Sequence, residues 1–460
     1  MNKPIDPILL EDALLRPHKG VGVSRPHESA HMHVAGSAPY TDDLPELAGT
    51  LHAALGMSPV ANGVMRAIDL DPIRAIPGVV AVLTSADIPG VNDCGSIIHD
   101  DPILAPMVFD EKGEGATELR FVGQPVFAVI ATTREIARRA AARAKTVMKV
   151  ESQPPVLSAR DAHARGQYVV PPMHLARDTR EGGAKAAIAD APHRLQGSFD
   201  VGGQEQFYLE GQISYAVPRE NDGMQVFCST QHPTEMQHLV AHALGLHAHH
   251  VQVECRRMGG GFGGKESQSA LFACVASVAA KKLGVPVKLR VDRDDDFMIT
   301  GRRHCFSYDY EIGFDDEGRI LGAEISMMSR AGHSADLSGP VMTRALCHFD
   351  NAYWLPDVLM HGYSGKTNTQ SNTAFRGFGG PQGAIAIEQV IDSVARALGK
   401  DALDVRKINF YAREGQSTPY GQPVTDNIIH ELVDELESTS DYRARRKAID
   451  AFNATSPVLK

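Results

Sequence analysis

The sequence predicts an α+β fold with more than one domain, and three observations support this prediction. Short apolar stretches such as Val79 to Leu83 are typical of strands, whereas longer Ala-rich stretches are typical of helices. The proline pair in S-Q-P-P-V, Ser152 to Val156, cannot continue a helix and favours an extended linker. A length of 460 residues, of which 43% are hydrophobic, is sufficient for two to four globular domains.

The composition argues against several classes of protein. A net charge of −10 disfavours a nucleic-acid partner, which needs a basic face. The N-terminus carries acids where a signal peptide needs an apolar core, and the longest apolar run, Ala270 to Ala280, is too short to span a membrane. The cysteines are Cys94, Cys228, Cys255, Cys274, Cys305 and Cys347. They are scattered without a C-x-x-C pair, so we expect reduced thiols in a cytoplasmic protein and no iron–sulfur cluster on this chain.

The first part of the chain divides into three segments. Residues 1–30 are polar and rich in His and Pro, which favours an extended N-terminal arm, and residues 31–150 are expected to form a compact domain. Its predicted elements are the strands Leu51 to Leu55 and Val79 to Leu83, a strand within Phe121 to Ala131, and the helix Thr133 to Val147. We interpret Arg138, Arg139, Arg143 and Lys145 of that helix as a solvated face and not a binding patch. Residues 151–196 are expected to be linker and surface.

The second domain is organised around a glycine-rich stretch, Met258 to Ser269, which reads M-G-G-G-F-G-G-K-E-S-Q-S. A predicted strand, His250 to Cys255, precedes it, and a predicted buried helix, Ser269 to Leu283, follows it. A tight turn between a strand and a helix start gathers unpaired N–H groups at the positive end of the helix dipole. The pattern therefore indicates a phosphate-bearing cofactor.

Two familiar motifs fit this stretch only in part. G-x-G-x-x-G is matched by Gly259, Gly261 and Gly264, but Asp292 lies further away than the ribose-binding acid of a dinucleotide fold. G-x-x-x-x-G-K is matched as well, but Glu266 follows where a P-loop needs a hydroxyl, and its carboxylate would repel phosphate. A flexible linker is disfavoured because the stretch lies between two apolar elements.

A second glycine turn repeats this logic. Gly377 to Gly380 precede Pro381 and a predicted helix, Gln382 to Leu398. Elsewhere the strand Met224 to Thr230 delivers Gln231 to the start of a predicted helix, Glu235 to Leu244, where strand ends and helix starts converge. Each glycine turn carries a phenylalanine, Phe262 or Phe378. We therefore predict one pocket with flat aromatic walls and backbone donors at its rim.

Five sequence blocks resemble the molybdenum hydroxylases of the xanthine dehydrogenase and aldehyde oxidase type. The blocks are V-G-G-Q-E-Q-F-Y-L-E, S-T-Q-H, R-M-G-G-G-F-G-G-K-E, T-R-A-L-C-H-F-D-N and S-N-T-A-F-R-G-F-G-G-P-Q-G. The resemblance covers nearly the whole chain from about His27. It implies an α/β hammerhead at residues 31–150, a first molybdenum-cofactor domain at residues 197–425, and the start of a second at residues 426–460. It also implies a molybdopterin cofactor whose metal is held by the pterin's own sulfurs.

The same resemblance assigns roles to particular residues. The amide of Gln231 would hydrogen-bond an oxygen ligand of molybdenum, and the backbone of Phe262, Gly263 and Arg376 would line the cofactor. Glu266 and Arg344 would grip a purine, with the guanidinium facing an oxygen where negative charge develops. Without the resemblance, Glu266 would be a charge favoured by a helix start and Arg344 a surface ion-pair partner.

The substrate expected from this pair is hypoxanthine or xanthine, within purine catabolism. Phe378 would pack on the purine ring. Aldehyde-oxidising relatives have apolar residues at the positions of Glu266 and Arg344, so these two residues distinguish the alternatives. The resemblance implies attack by water-derived hydroxide on an electron-poor ring carbon, with hydride passing to a sulfido ligand of molybdenum. Electrons would leave through iron–sulfur clusters and FAD on a partner subunit, in a hetero-oligomer.

One departure from the family concerns the end of the sequence. Relatives continue through a second cofactor domain that supplies a general-base glutamate, whereas this sequence stops at Lys460. We therefore expect a truncated or split subunit that alone binds molybdopterin poorly and does not turn over xanthine. The remaining alternative is a non-catalytic half-subunit that only pairs with an electron-transfer partner.

Overall fold

The computed structural model describes residues 24–458. Residues 1–23, which hold most of the predicted N-terminal arm, and residues 459–460 lie outside the described residues. The strands are β1 (Leu51–Met57), β2 (Gly63–Ile68), β3 (Val79–Leu83), β4 (Thr117–Leu119), β5 (Pro125–Ala131), β6 (Met148–Ser152), β7 (Met173–Arg177), β8 (His193–Val201), β9 (Ile213–Pro218), β10 (Met224–Cys228), β11 (Val251–Glu254), β12 (Val287–Arg290), β13 (Phe306–Phe314), β14 (Ile320–Gly332), β15 (Asp357–Lys366), β16 (Gln416–Ser417) and β17 (Pro423–Val424).

The α-helices alternate with these strands. They are α1 (Ala30–Val34), α2 (Asp71–Arg74), α3 (Arg134–Ala141), α4 (Ala144–Val147), α5 (Ala159–Ala164), α6 (Gly183–Ala189), α7 (Pro233–Leu244), α8 (Ser269–Leu283), α9 (Arg293–Ile299), α10 (Ser338–Cys347), α11 (Gly380–Leu398), α12 (Ala402–Asn409), α13 (Ile429–Thr439) and α14 (Tyr442–Thr455). Short 3₁₀ turns lie at Thr41–Asp43, Ser85–Asp87 and Ala248–His250. None of the helices within residues 24–458 is long and apolar enough to cross a membrane.

The largest sheet joins the two regions that the sequence separates. Its seven strands run in the order β11-β10-β9-β12-β1-β5-β3. β1 lies parallel to β12, with Leu51 opposite Val287, so strands from residues 51–131 extend the sheet formed by residues 213–290. Helices α7 and α8 pack on this sheet through buried side chains such as Met236 and Val275. One core therefore lies beneath strands from both regions.

A second, five-stranded sheet has the order β7-β15-β14-β13-β8. Helices α10 and α11 pack against it through Met342, Leu346 and Ile387. Residues 151–196, predicted to be linker and mostly surface, also contribute to the core, because β7 joins this sheet and Ala187 of α6 is 1% exposed. Gly322 in β14 lets α6 approach closely, a tertiary pairing that local sequence patterns do not reveal. A third sheet, β4-β2-β6, completes the N-terminal region.

Most predicted elements of the core are confirmed, and α8 has the predicted bounds of Ser269 and Leu283. The predicted helix Thr133 to Val147 is instead two helices, α3 and α4. The side chains predicted to form a solvated face, Arg138, Arg139, Arg143 and Lys145, are exposed. Arg138 also forms an ion pair with Asp292, as does the half-buried Arg134. These pairs connect α3 to the residues that follow β12, a contact that no local pattern predicts.

Candidate active site

The first glycine turn, residues 259–264, connects β11 to the segment that leads into α8. Gly260 and Gly263 have φ angles of +99° and +101°, and Phe262 has a φ of +53°. A left-handed φ is uncommon for a bulky residue and is typical of functional sites. Phe262 is 47% exposed, so its ring stands at the surface of the turn. The backbone is held in this shape rather than left flexible.

Gln231 forms hydrogen bonds to the first turn and to the residue after it, through both its backbone and its side chain. Its backbone N–H donates to the carbonyl of Lys265 at 2.8 Å, and its side-chain Oε1 accepts from the N–H of Gly263 at 2.8 Å. These bonds fix the carboxamide so that Nε2, which donates to no acceptor within residues 24–458, faces away from the turn. The predicted position of Gln231 beside the glycine turn is therefore observed.

A buried ion pair lies underneath the first turn. The Lys265 side chain is fully buried, and its ammonium donates to Ser229 Oγ at 2.7 Å and lies 3.6 Å from Glu210 Oε2. Glu210 Oε2 also accepts from the N–H of Gly259 at 2.7 Å. Burial lowers the pKa of Lys265, and the Glu210 carboxylate opposes that shift. Lys265 therefore anchors the turn from inside and is not available to a phosphate, which excludes a P-loop.

The second glycine turn, residues 377–380, has nearly the same backbone shape. Phe378 and Gly379 have φ angles of +49° and +97°, and α11 begins at Gly380. The Cβ of an alanine at Gly379 would lie 2.1 Å from the carbonyl oxygen of Val341 in α10, so only glycine fits. The second turn is thus shaped by direct contact with α10.

The two turns meet. The N–H of Arg376 donates to the carbonyl of Phe262 at 2.8 Å. A Cβ on Gly263 would lie 2.6 Å from the backbone of Ala374, which shows how closely the segments approach. This contact supports the prediction that both turns border one volume. It also corrects one expectation, because the Arg376 amide is already engaged with Phe262 rather than free for a cofactor.

Glu266 and Arg344 have ionisable side chains that pair with no other residue between 24 and 458. Glu266 is half-buried, and burial raises the pKa of its carboxyl, with His232 nearby opposing the shift. Arg344 lies on α10, where its Nε would be 3.8 Å from a Cβ on Gly380. Neither side chain forms an ion pair or hydrogen bond with another residue between 24 and 458. The alternative role of Arg344, a surface ion-pair partner, is therefore not observed among residues 24–458, and each group is open to a ligand.

The donor set at the two turns fits an anionic or oxygen-rich cofactor. Within residues 24–458, the backbone N–H groups of Gly261, Phe262 and Gly377 donate to no protein acceptor. Gly261 is buried, whereas Phe262 and Gly377 are exposed. A buried N–H group is rarely left unpaired, so the Gly261 donor in particular indicates a ligand. No cluster of three or more His, Cys, Asp or Glu side chains in the described part of the chain could hold a metal ion.

A dinucleotide-binding site is excluded by the same geometry. The large sheet is mixed, since β12 is antiparallel to β9 and parallel to β1. Asp292, the acid that follows the next strand, is paired with Arg134 and Arg138 and so is not free for a ribose. The G-x-G-x-x-G match at residues 259–264 therefore belongs to a fold other than the dinucleotide-binding fold.

Two family models match the chain. The "Molybdopterin cofactor-binding domain" matches residues 168–410, and "Aldehyde oxidase and xanthine dehydrogenase, a/b hammerhead domain" matches residues 35–152. The chain therefore belongs to the aldehyde oxidase and xanthine dehydrogenase family of molybdopterin-binding proteins. Both the hammerhead and the first cofactor domain, in that order, are confirmed.

Among its relatives, xanthine dehydrogenase of Calliphora vicina is 40% identical over 94% of this chain and 31% of its own. Xanthine dehydrogenase/oxidase of Gallus gallus is 39% identical with the same coverage. The chain thus spans about a third of the length of these curated relatives. Aldehyde oxidoreductase from Desulfovibrio gigas superimposes with a TM-score of 0.82 at 25% identity, over 94% of this chain and 47% of that one.

Three residues with structural importance at the site were not identified from the sequence. The block V-G-G-Q-E-Q-F-Y-L-E contains Glu210 but does not reveal its contact with the first turn, and the G-x-x-x-x-G-K match indicates only a phosphate-binding role for Lys265. Asp336, which is 5% exposed and contacts the residues after the first turn, gave no signal. Its position follows from tertiary packing, which no spacing rule encodes.

Proposed function

We propose that this chain provides the substrate pocket and part of the cofactor site of a molybdenum hydroxylase that oxidises hypoxanthine and xanthine. The observation that carries the proposal is the contact between the two glycine turns, through Arg376 N–H and the Phe262 carbonyl at 2.8 Å. Gln231 bonds to Gly263, the residue after Phe262, which supports a site shared by Gln231 and the two turns. The identity of about 40% with xanthine dehydrogenases supports the choice of substrate class.

The residues of this chain would hold a molybdopterin cofactor through neutral donors. Gln231 Nε2 and the N–H groups of Phe262 and Gly377 are available for oxygen atoms of the cofactor, while Gly263 and Arg376 keep the turns in place. The bound cofactor would supply the two-electron oxidation chemistry. Donors fixed before the ligand binds lose little energy in reorganisation, which favours tight binding.

Glu266 and Arg344 would recognise the purine. The Glu266 carboxyl is half-buried, so burial raises its pKa, and it has no hydrogen-bond partner between residues 24 and 458. It would therefore face the N–H and nitrogen edge of the purine ring. The Arg344 guanidinium is always charged and would stabilise negative charge on an exocyclic oxygen as the ring is attacked. Phe378, partly exposed in the second turn, would pack on the ring face.

We propose further that the electron carriers and the general base belong to other polypeptide segments of a cytoplasmic hetero-oligomer. The chain spans about a third of its curated relatives, which leaves room for further domains or subunits. The scattered cysteines of this chain form no iron–sulfur pattern, so iron–sulfur clusters and FAD would be carried by a partner.

The test uses the complex that co-purifies with the full chain, assayed with hypoxanthine and with benzaldehyde. Glu266→Gln or Arg344→Met should lower kcat/KM for hypoxanthine by about 100-fold, the effect of losing one transition-state contact, and leave benzaldehyde oxidation nearly unchanged. Arg396→Met, an exposed arginine on α11, is the matched control. Equal losses with both substrates would contradict purine recognition by this pair.

A second candidate is an aldehyde-oxidising enzyme, favoured by the fold shared with an aldehyde oxidoreductase at a TM-score of 0.82. It would make the charges of Glu266 and Arg344 unnecessary. A wild-type complex that oxidises benzaldehyde but not hypoxanthine would establish this alternative.

A further inference from the structure

Asp336 lies at a junction of the segments that carry the proposed substrate residues. It is 5% exposed and precedes α10 by two residues. Its φ of +39° is unusual for a residue other than glycine. No role in the proposed reaction uses this side chain, yet a strained backbone at a buried carboxyl is costly and indicates a function.

The carboxyl of Asp336 bonds to both residues that follow Glu266. Oδ1 accepts from Ser267 Oγ at 2.6 Å, and Oδ2 accepts from Gln268 Nε2 at 2.5 Å. The Gln268 side chain in turn accepts from the N–H of Gly301 at 2.8 Å. The position of the Glu266 backbone is therefore set from one side by Asp336.

The same carboxyl reaches the segment that leads into the second turn. Thr373 donates to Asp336 from its side chain, and its hydroxyl lies 3.1 Å from Ser267 Oγ. The next residue, Ala374, packs directly on Gly263 of the first turn. Asp336 thus connects the exit of the first turn with the entry to the second.

The chain on either side of Asp336 is fixed as well. The N–H of Ala335 donates to the Asp100 carboxylate at 3.0 Å, and His333 Nε2 lies 3.2 Å from Asp101 Oδ1. Helix α10, which carries Arg344, starts directly afterwards at Ser338. The backbone around Asp336 is therefore fixed, and its carboxyl bonds to the segments next to the two turns. A shift of Asp336 would move both segments.

We propose that Asp336 is a positioning residue that sets the spacing between Glu266 and Arg344, and so tunes purine affinity. The expected effect on purine affinity rests on the proposed function. The link that Asp336 forms between the two segments does not. Because Asp336 touches no substrate, its loss should weaken recognition of a ligand that needs both charged groups and spare a ligand that needs neither.

The first measurement is amide hydrogen exchange on the full chain, which needs no cofactor and no turnover. Asp336→Ala should raise exchange by about tenfold in residues 265–268 and 373–376, because opening these segments costs less once their shared acceptor is gone. In Asp336→Asn the amide oxygen still accepts a hydrogen bond, and the amide N–H can donate to a hydroxyl oxygen. This variant should therefore keep most of the protection of these amides from exchange. Asp357→Ala is the matched control, since Asp357 is equally buried but bonds to Thr179 and Arg180.

The second measurement is the steady-state kinetics of the co-purified complex. Asp336→Ala should raise KM for hypoxanthine about tenfold with little change in KM for benzaldehyde, a split that general loss of stability would not produce. Should Asp336→Ala fail to fold, Ser267→Ala removes one of the three contacts and should give a smaller change of the same kind.

The outcomes separate the two proposals. The positioning role would be overturned if Asp336→Ala showed the same exchange in residues 265–268 as the wild type. The same holds for Ser267→Ala if that variant is used instead. Equal changes of KM for both substrates would overturn it too. A wild-type complex without activity on any purine would instead overturn the proposed function, while raised exchange in Asp336→Ala would still establish Asp336 as the structural link.

Discussion

The first and second glycine turns share a Phe–Gly pair with closely similar φ angles, +53° and +101° at Phe262 and Gly263, and +49° and +97° at Phe378 and Gly379. Their support differs. The first turn rests on buried polar groups, in which Lys265 and Glu210 hold the backbone by charge and hydrogen bonds. The second turn is shaped by close packing of glycine against α10.

This difference indicates that the local backbone shape is the shared requirement and that the support is free to vary. A left-handed phenylalanine costs energy in either turn, and the surrounding structure must supply it. In the first turn a network of buried polar groups offsets this energy. In the second turn close packing against α10 offsets it. The two turns should therefore respond differently to changes in charge, in pH and in side-chain volume.

The largest effect is expected from removing the charge beneath the first turn. Lys265→Met leaves the Glu210 carboxylate buried without a cation, which should lower the free energy of unfolding by about 3 to 5 kcal/mol. Lys282→Met, which breaks an exposed pair with Asp87, is the control and should cost less than about 1 kcal/mol. Urea unfolding of both variants measures the difference, and similar losses would contradict a polar support for the first turn.

A smaller effect is expected from pH at the point where the turns are connected. Burial raises the pKa of Asp336 to about 7, with Asp101 adding to the shift. Between about pH 4 and pH 7 the unfolded chain ionises this carboxyl while the folded chain keeps its proton, so the folded state binds more protons and stability falls as pH rises. The fall, about 4 kcal/mol for roughly three pKa units at about 1.4 kcal/mol each, should be absent from Asp336→Asn.

The measurement is the difference in unfolding free energy between the wild type and Asp336→Asn across that range, in which the contributions of shared groups cancel. His333 and Asp101 line the same cavity of about 30 Å³ as Asp336. Both residues are present in the wild type and in Asp336→Asn, so their titration cancels in the difference. A difference that stays constant from pH 4 to pH 7 would show that Asp336 is already ionised in the folded chain.

The smallest of the three effects is expected at the second turn. Gly379→Ala places a Cβ 2.1 Å from the Val341 carbonyl oxygen and should cost about 2 kcal/mol, since α10 must shift and a left-handed φ is strained. Gly399→Ala is the control, because Gly399 has a φ of +65° but open space around it. If thermal unfolding shows equal losses, then strain alone, and not packing against α10, shapes the second turn.

Local patterns predicted much of the fold and of the site. The bounds of α8 follow from a run of buried Ala and Val residues, and both turns follow from glycines placed between apolar elements. The position of Gln231 beside the first turn follows from the strand that precedes it. These features depend on residues close in sequence, where periodicity and turn chemistry carry the information.

Features that depend on distant residues were not predicted. The parallel pairing of β1 with β12 joins residues more than two hundred positions apart, and the burial of α6 depends on Gly322 in β14. Asp336 is important only because Ser267 and Thr373 fold onto it. The assignment of Glu266 and Arg344 to a purine came from family resemblance, and it stays a proposal.

The pairing of β1 with β12 also affects how this polypeptide can be divided. Cleavage at Pro154–Pro155 falls between the hammerhead and the cofactor domain in sequence, yet the large sheet crosses that boundary in space. Each product would present an open strand edge with unsatisfied backbone groups, either β1 or β12. Such edges recruit other chains, so separately expressed halves should aggregate unless they are produced together and reassemble.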